Sequence, residues 1–262
     1  MIEAYSGKGN GTMWKKRITK AGETEDFDWD FETCACVSLV GGGGKTTLMD
    51  CWARELTSRR QNILVTTSTH LQLPQGTAAF SLADVHRLWM AGSYAVLGTP
   101  RNGKLSPPDE DFLEQVMEQA DVTFVEADGS KCRPCKVPNA SEPVIRAETE
   151  AVAAVLGMSA VGAPISEKCF RLDELEVFLG KSRDEILTEE AAASILSSRQ
   201  GSRKGVEELP YFVVLNQCDT AEKRRSAQRI AQMLLDRGVE HVLLTHFDEK
   251  ERNRFERGVS DE

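Results

Sequence analysis

The sequence predicts an α/β fold in three layers, with a mostly parallel sheet and helices on both of its faces. Three observations predict it. Short apolar runs suited to buried strands recur along the chain, at 36–41, 62–67, 93–98, 121–129, 151–157, 211–216 and near 240–245. Segments with apolar residues at helical spacing lie at 45–59, 82–91, 171–179, 184–199 and 221–237. A helix between two strands supplies the crossover that parallel pairing demands, and parallel sheets are covered on both faces.

Residues 1–33 carry glycines, lysines and acids with little periodicity and end in DFDWDFE. The first part is expected to be flexible and the aromatic-acidic part to be an added strand or a lid. From Cys36 a buried strand, a glycine turn and a helix over 45–59 follow in order, and NILVTT at 62–67 is the next parallel strand. A helix at 82–91 and a strand at 93–98 come next, and PPDEDF at 107–112 starts another helix with acids in its first turn. The run beginning DVTFV at 121 is a buried strand ending in carboxylates. The expected organisation is an added N-terminal segment over 1–33, one α/β domain over 34–247, and a mixed-charge tail over 248–262, as a short exposed helix or a frayed end.

Composition narrows the function. A chain of 262 residues can bury a substantial core, and a formal charge of −9 argues against a nucleic-acid partner, which needs a basic face. Seven scattered cysteines, an odd number, with no secretory leader at the N-terminus, predict reduced thiols in the cytoplasm. No apolar run approaches the ~20 residues that span a bilayer, so no membrane partner is expected.

Chemistry concentrates first at VSLVGGGGKTTL, residues 37–48. Backbone without Cβ atoms curls tightly and brings N–H groups to one ligand, and a helix N-terminus behind it adds its positive dipole end. The phosphate-loop pattern G-x-x-x-x-G-K-[ST] has Leu39 in place of its first glycine, which leaves a shorter G-x-x-G-K-T-T version. Gly41, Gly42, Gly43 and Gly44 supply the curl, Lys45 reaches terminal phosphates, Thr46 offers a hydroxyl to Mg²⁺, and Thr47 continues the phosphate-binding turn. The expected architecture is that of phosphate-loop NTPases, with ATP or GTP as ligand.

Parallel strands deliver functional residues at their C-terminal ends. Glu126 and Asp128 stand at such an end, on one side by alternation; Glu126 is the Mg²⁺ carboxylate, direct or through water, and Asp128 the group that orients water or contacts substrate. TTSTH at 66–70 closes the second strand. Thr67 or Thr69 completes a metal shell and His70 contacts a phosphate or second substrate, or the hydroxyls bond their own turn. NQCD at 216–219 stands where guanine-specific switch proteins carry N-K-x-D, with Asn216 and Asp219 kept for base binding and Gln217 in place of lysine.

Together SLVGGGGKTT, TTSTH, the EADGSK segment at 126–131 running on to KVP and EPVI, and VVLNQCD resemble the YqeC family over about residues 35–245. That family is described as accessory proteins of selenium-dependent molybdenum hydroxylases, acting in selenium-cofactor biosynthesis. The resemblance implies a Mg²⁺-dependent NTPase that serves maturation of these enzymes, with the molybdenum cofactor or a molybdenum hydroxylase as partner. Two departures stand out, since the family has glycine and an aliphatic residue where this chain has Cys132 and Cys135, and lysine at Gln217. The C-x-x-C pair either handles a selenium species or a metal, or consists of incidental thiols.

The long proline-rich segment from Asp128 to Ile145 is basic at its start. Ser130, Lys131, Arg133 and Lys136 there can bind an anionic second substrate such as a molybdopterin phosphate, or form a solvated charged loop. Two other functions fit the same residues. One is a phosphoryl-activating ligase or transferase, because G-x-x-G-K-T-T also resembles the loop of Mur-type amide ligases, where Thr47 and His70 would position an acceptor. The other is a non-catalytic docking module gated by nucleotide.

Overall fold

The structure, a computed structural model, describes residues 16–18, 24–26, 34–58, 62–206 and 208–247. The pair β1 (Lys16–Ile18) and β2 (Thr24–Asp26) comes first, then β3 (Cys36–Gly41), the glycine turn and α1 (Lys45–Thr57). After β4 (Ile63–Thr67) come β5 (Leu71–Gln72), β6 (Ala78–Ala79), α2 (Leu82–Met90), β7 (Ala95–Leu97), β8 (Thr99–Arg101), β9 (Lys104–Ser106), α3 (Glu110–Met117) and β10 (Val122–Glu126). The second half runs β11 (Cys135–Lys136), β12 (Ala151–Gly157), a 3-10 turn, α4 (Ile165–Lys168), β13 (Cys169–Phe170), α5 (Leu172–Leu179), α6 (Glu189–Ser197), β14 (Tyr211–Asn216), α7 (Ala221–Asp236) and β15 (His241–Leu244).

The main sheet has the order β2-β1-β15-β14-β12-β3-β10-β4-β7-β6. From β15 to β6 every pairing is parallel, and β1 and β2 add antiparallel at one edge. The chain leaves β3 toward β4, β7 and β6, returns to insert β10 beside β3, and then crosses to the other side for β12, β14 and β15. The sheet order therefore reverses at β3. At such a reversal the loops from neighbouring strands part and leave a crevice at the C-terminal ends, where ligands of open α/β sheets bind.

Alternation along each strand divides the core. Val37 and Leu39 of β3, Ala153 and Val155 of β12, and Phe124 of β10 pack with Leu48, Met49 and Trp52 of α1 on one face. Val40, Ala154, Leu156, Val213 and Leu215 face α6 and α7 on the other, where Leu64, Ala95 and Leu97 meet α2 and α3. Helices thus cover both faces. The near-continuous apolar runs follow from this, because a strand buried on both faces has no polar side to show.

Among the described residues four helices begin on a side-chain cap. Ser81, Asp109, Thr188 and Thr220 accept from the N–H groups of Asp84, Phe112, Ala191 and Lys223, each satisfying one of the helix's orphan donors. The Thr188 cap explains why the helix expected from 184 starts at Glu189. Asp184 and Glu185 sit in a preceding turn, held by the N–H of Ser182 and the ammonium of Lys181 on Glu185. Two small sheets had no expectation in the sequence: β5-β9-β8, and the parallel pair β11·β13. Of the aromatic-acidic stretch 26–32, Asp26 ends β2 and residues 27–32 lie outside the described residues, as does the tail 248–262.

Candidate phosphate-binding site

The glycine turn sits at the end of β3, and the close approach of other backbone explains its composition. Gly41, Gly43 and Gly44 have φ of 91°, 95° and 109°, a region that costs other residues about 1 kcal/mol or more. A Cβ on Gly43 would lie 2.1 Å from the Gly157 nitrogen, and one on Gly42 2.5 Å from the Arg133 carbonyl oxygen. The turn is wedged between the end of β12 and the segment leading into β11.

Its first amides are already spent. Gly41 N–H donates to both carboxylate oxygens of Asp128, at 3.1 and 3.0 Å. Gly42 N–H donates to the Val155 carbonyl and Gly43 N–H to the Arg133 carbonyl. The donors left for an anion are those at the start of α1, which begins at Gly44 with no side-chain cap and no acid in its first turn. Among the described residues α1 is the one helix of eight or more residues that begins with neither a side-chain cap nor an acid in its first turn, which suits a phosphate. Asn216 fixes the turn from the other side: its amide donates to the Gly43 carbonyl at 2.8 Å and its oxygen accepts from Thr245.

Lys45 is buried, with its ammonium 2.5 Å from the Gly41 carbonyl, 3.1 Å from Asp128 and 3.8 Å from Glu126. Burial alone would pull its pKa down, but the carboxylates of Asp128 and Glu126 outweigh that and hold it above the ordinary lysine value. Thr46 donates its hydroxyl to Glu126 at 2.8 Å. Burial pushes the Glu126 carboxyl up, against the downward pull of Lys45 and Thr46. The hydroxyl and carboxylate present adjacent oxygens at the mouth of the helix, a donor set that fits Mg²⁺.

Asp128 is not a free strand-end carboxylate. It lies between two buried ammonium groups, Lys45 and Lys136, the latter at 3.1 Å. Lys136 also meets Glu142 at 2.7 Å and the Gly129 carbonyl, and Glu142 meets Arg171 at 3.0 Å. Burial would raise the Glu142 pKa, but Lys136 and Arg171 hold it below the usual range. Arg171 carried no signal in the sequence and Glu142 entered only as the first residue of EPVI; their pairing is made by the fold, across 29 positions.

The other candidates are placed as follows. Thr67 lies level with Glu126 in the β4·β10 register, but its hydroxyl donates to the Glu126 backbone carbonyl and accepts from the Thr69 N–H, so it fastens two strand ends. His70 is exposed and shares no hydrogen bond with the turn, Glu126 or Asp128 among the described residues. Thr47 is half-buried in the first turn of α1. Asp219 is exposed and paired with Lys223 at 2.8 Å, while the Gln217 side-chain oxygen is bound by Ser159 at 2.5 Å. Of the C-x-x-C pair, Cys132 is exposed and Cys135 buried. The thiol partner of Cys135 is Cys169, its opposite in the β11·β13 register; hydrogen bonding between them raises the Cys135 pKa and lowers that of Cys169.

The family model described as YqeC protein matches residues 37–173. The Escherichia coli K12 protein named "Uncharacterized protein YqeC" is 28% identical over 231 residues, which cover 81% of this chain and 88% of that protein. Among solved structures, the hydrogenase maturation factor HypB from Archaeoglobus fulgidus matches with a TM-score of 0.37 and 15% identity, covering 87% of this chain and 89% of its own. It is too loose a match to bear on the site.

Proposed function

The chain belongs to the YqeC family, and from that premise we propose that it binds and hydrolyses Mg²⁺-ATP or Mg²⁺-GTP in the maturation of selenium-dependent molybdenum hydroxylases, handling their cofactor. One observation carries the nucleotide reading: the uncapped start of α1 lies beside a buried ammonium, Lys45, and the Thr46–Glu126 oxygen pair. Phosphate needs donors and positive charge, and the start of α1 offers N–H groups without a side-chain cap, with the Lys45 ammonium beside them. Thr46 and Glu126 would hold the Mg²⁺, which when bound neutralises charge on the terminal phosphates. Lys45 would leave Asp128 for a terminal phosphate, and Asp219 would meet the base. The maturation role rests on the family resemblance.

Titration calorimetry with Mg²⁺-ATP and Mg²⁺-GTP tests the reading, with the Lys45→Ala protein alongside. Binding by the wild type and its loss in the variant are expected; equal affinity in both proteins overturns the phosphate-loop assignment. One observation favours a second reading, a nucleotide-gated docking protein. Both oxygens of Asp128 are engaged by Gly41, Lys45 and Lys136, so it is not poised to orient water while those contacts last. Tight binding with no phosphate release selects that reading.

A further inference from the structure

Beside the phosphate loop, three cations crowd one aromatic ring. Arg171, Lys131 and Lys136 lie 4.9, 5.1 and 6.0 Å from the centroid of Phe170. Lys136 is accounted for by Asp128 and Glu142. Arg171 spends one guanidinium nitrogen on Glu142, and its Nε is buried with no hydrogen-bond partner. Lys131 is exposed and makes no ion pair among the described residues. Counted with Lys45, four cations here face the three carboxylates of Glu126, Asp128 and Glu142. Local positive surplus in an acidic chain marks where an anion gains most.

The backbone is bent to make this arrangement. Among the described residues five that are not glycine have left-handed φ, and Lys131, Cys132 and Arg171 are three of them, at 49°, 59° and 67°. Each costs about 1 kcal/mol or more, and such outliers cluster at ligand sites. The segment is also the wall of the phosphate loop, since Gly43 and Gly157 donate to the carbonyls of Arg133 and Pro134. Arg133 itself is turned away, its guanidinium on the Glu167 carbonyl.

We propose that Lys131 and Arg171, braced on Phe170, form an oxyanion site for the phosphate or carboxylate group of a second substrate, next to the phosphate loop. This deepens the nucleotide reading by giving the protein a place for the molecule on which it acts, and it adds Arg171 and Phe170 to the residues the sequence singled out. The guanidinium offers the nitrogens not spent on Glu142 and the ammonium a mobile charge, together a two-point grip on one oxyanion.

Amine-reactive labelling of Lys131 in the full chain, read by peptide mass spectrometry, tests it with inorganic phosphate and succinate as probes. Labelling of Lys131 is expected to slow about tenfold at saturating probe while other exposed lysines keep their rates. Protection by phosphate alone assigns a phosphate ligand, and protection by succinate alone a carboxylate. Arg171→Gln should abolish the protection. Protection by neither probe, or equal slowing at every lysine, overturns the proposal. Mg²⁺-nucleotide titration of the same preparation reports separately on the phosphate loop, so failure of one assignment is not mistaken for failure of the other.

Discussion

Lys45 Nζ lies 3.1 Å from Asp128 Oδ1, with both side chains almost wholly buried. A buried pair is costly to break from one side, because the survivor keeps its charge without a partner. Lys45→Ala leaves Asp128 with Lys136 and the Gly41 N–H, and Glu126 with the Thr46 hydroxyl, so it is expected to lower folding stability by about 1–3 kcal/mol, besides removing the ammonium meant for phosphate. Urea denaturation measures it; a loss below about 1 kcal/mol would mean that water reaches the pair.

Asp128→Asn separates two roles. The amide oxygen still accepts from Gly41, but the charge between Lys45 and Lys136 is gone, so the variant should be less stable. It should also bind Mg²⁺-nucleotide at least as tightly as the wild type, since Lys45 is released from a competitor, and hydrolyse it more slowly if Asp128 turns to water once phosphate has taken Lys45. Weaker nucleotide binding at unchanged stability would contradict the assignment.

Glu126 gives a pH signature. Its pKa in the folded chain is raised above the ordinary 4.5, burial being the main cause. The contribution of a raised carboxyl is fully present below the unfolded value and is lost as pH rises through the folded one. Wild type should therefore lose stability relative to Glu126→Gln on going upward from about pH 4.5. Over the same window Mg²⁺ affinity should climb, because the metal takes the carboxylate, not the acid. Urea midpoints and Mg²⁺ titrations of the two proteins across that range decide it, and parallel curves would remove Glu126 as the buried metal carboxylate.

The turn glycines can be told from ordinary ones. Gly162 has φ of 82° with open space around it, whereas Gly43 has φ of 95° and backbone 2.1 Å from where a Cβ would lie. Gly162→Ala should cost about 1–2 kcal/mol, the strain of the conformation. Gly43→Ala must in addition push the turn off Gly157, and should cost more than about 3 kcal/mol and lose nucleotide binding. Thermal melts of both variants compare them; equal losses would show that the turn can move aside.

Base preference is the last test. Asp219 can accept from the two donors of guanine, but Gln217 is held by Ser159 and carries no cation to lay over a ring. A GTP preference of about tenfold, or ~1.4 kcal/mol, is expected, and Asp219→Ala should erase it while leaving phosphate affinity intact. Competition of GTP and ATP against a fluorescent nucleotide reads both; a wild-type ATP preference would reduce the segment to a strand-end turn.

What the sequence could show was local. The strand-turn-helix at 36–57 was legible because glycine, lysine and threonine occupy consecutive positions, and Glu126 because it ends an apolar run. That Gly41, Gly42 and Gly43 spend their amides inside the protein was not legible, since their acceptors lie on Asp128, Val155 and Arg133. Arg171, and its pairing with Glu142, were missed for the same reason: an ion pair between two loops leaves no periodicity. Cys135 drew attention through its spacing from Cys132, whereas the fold pairs it with Cys169, on the facing strand of a two-stranded sheet with two residues in each strand, which no propensity announces.

The outermost strands of the main sheet are very short. At one end β6 has two residues and at the other β2 has three. A free strand edge seeds addition of strands from other copies when it presents a row of unpaired amides, and brevity is one of the means by which proteins deny that row. Among the described residues, a ten-stranded sheet built largely of apolar runs therefore ends on both sides without a template for fibrillar growth.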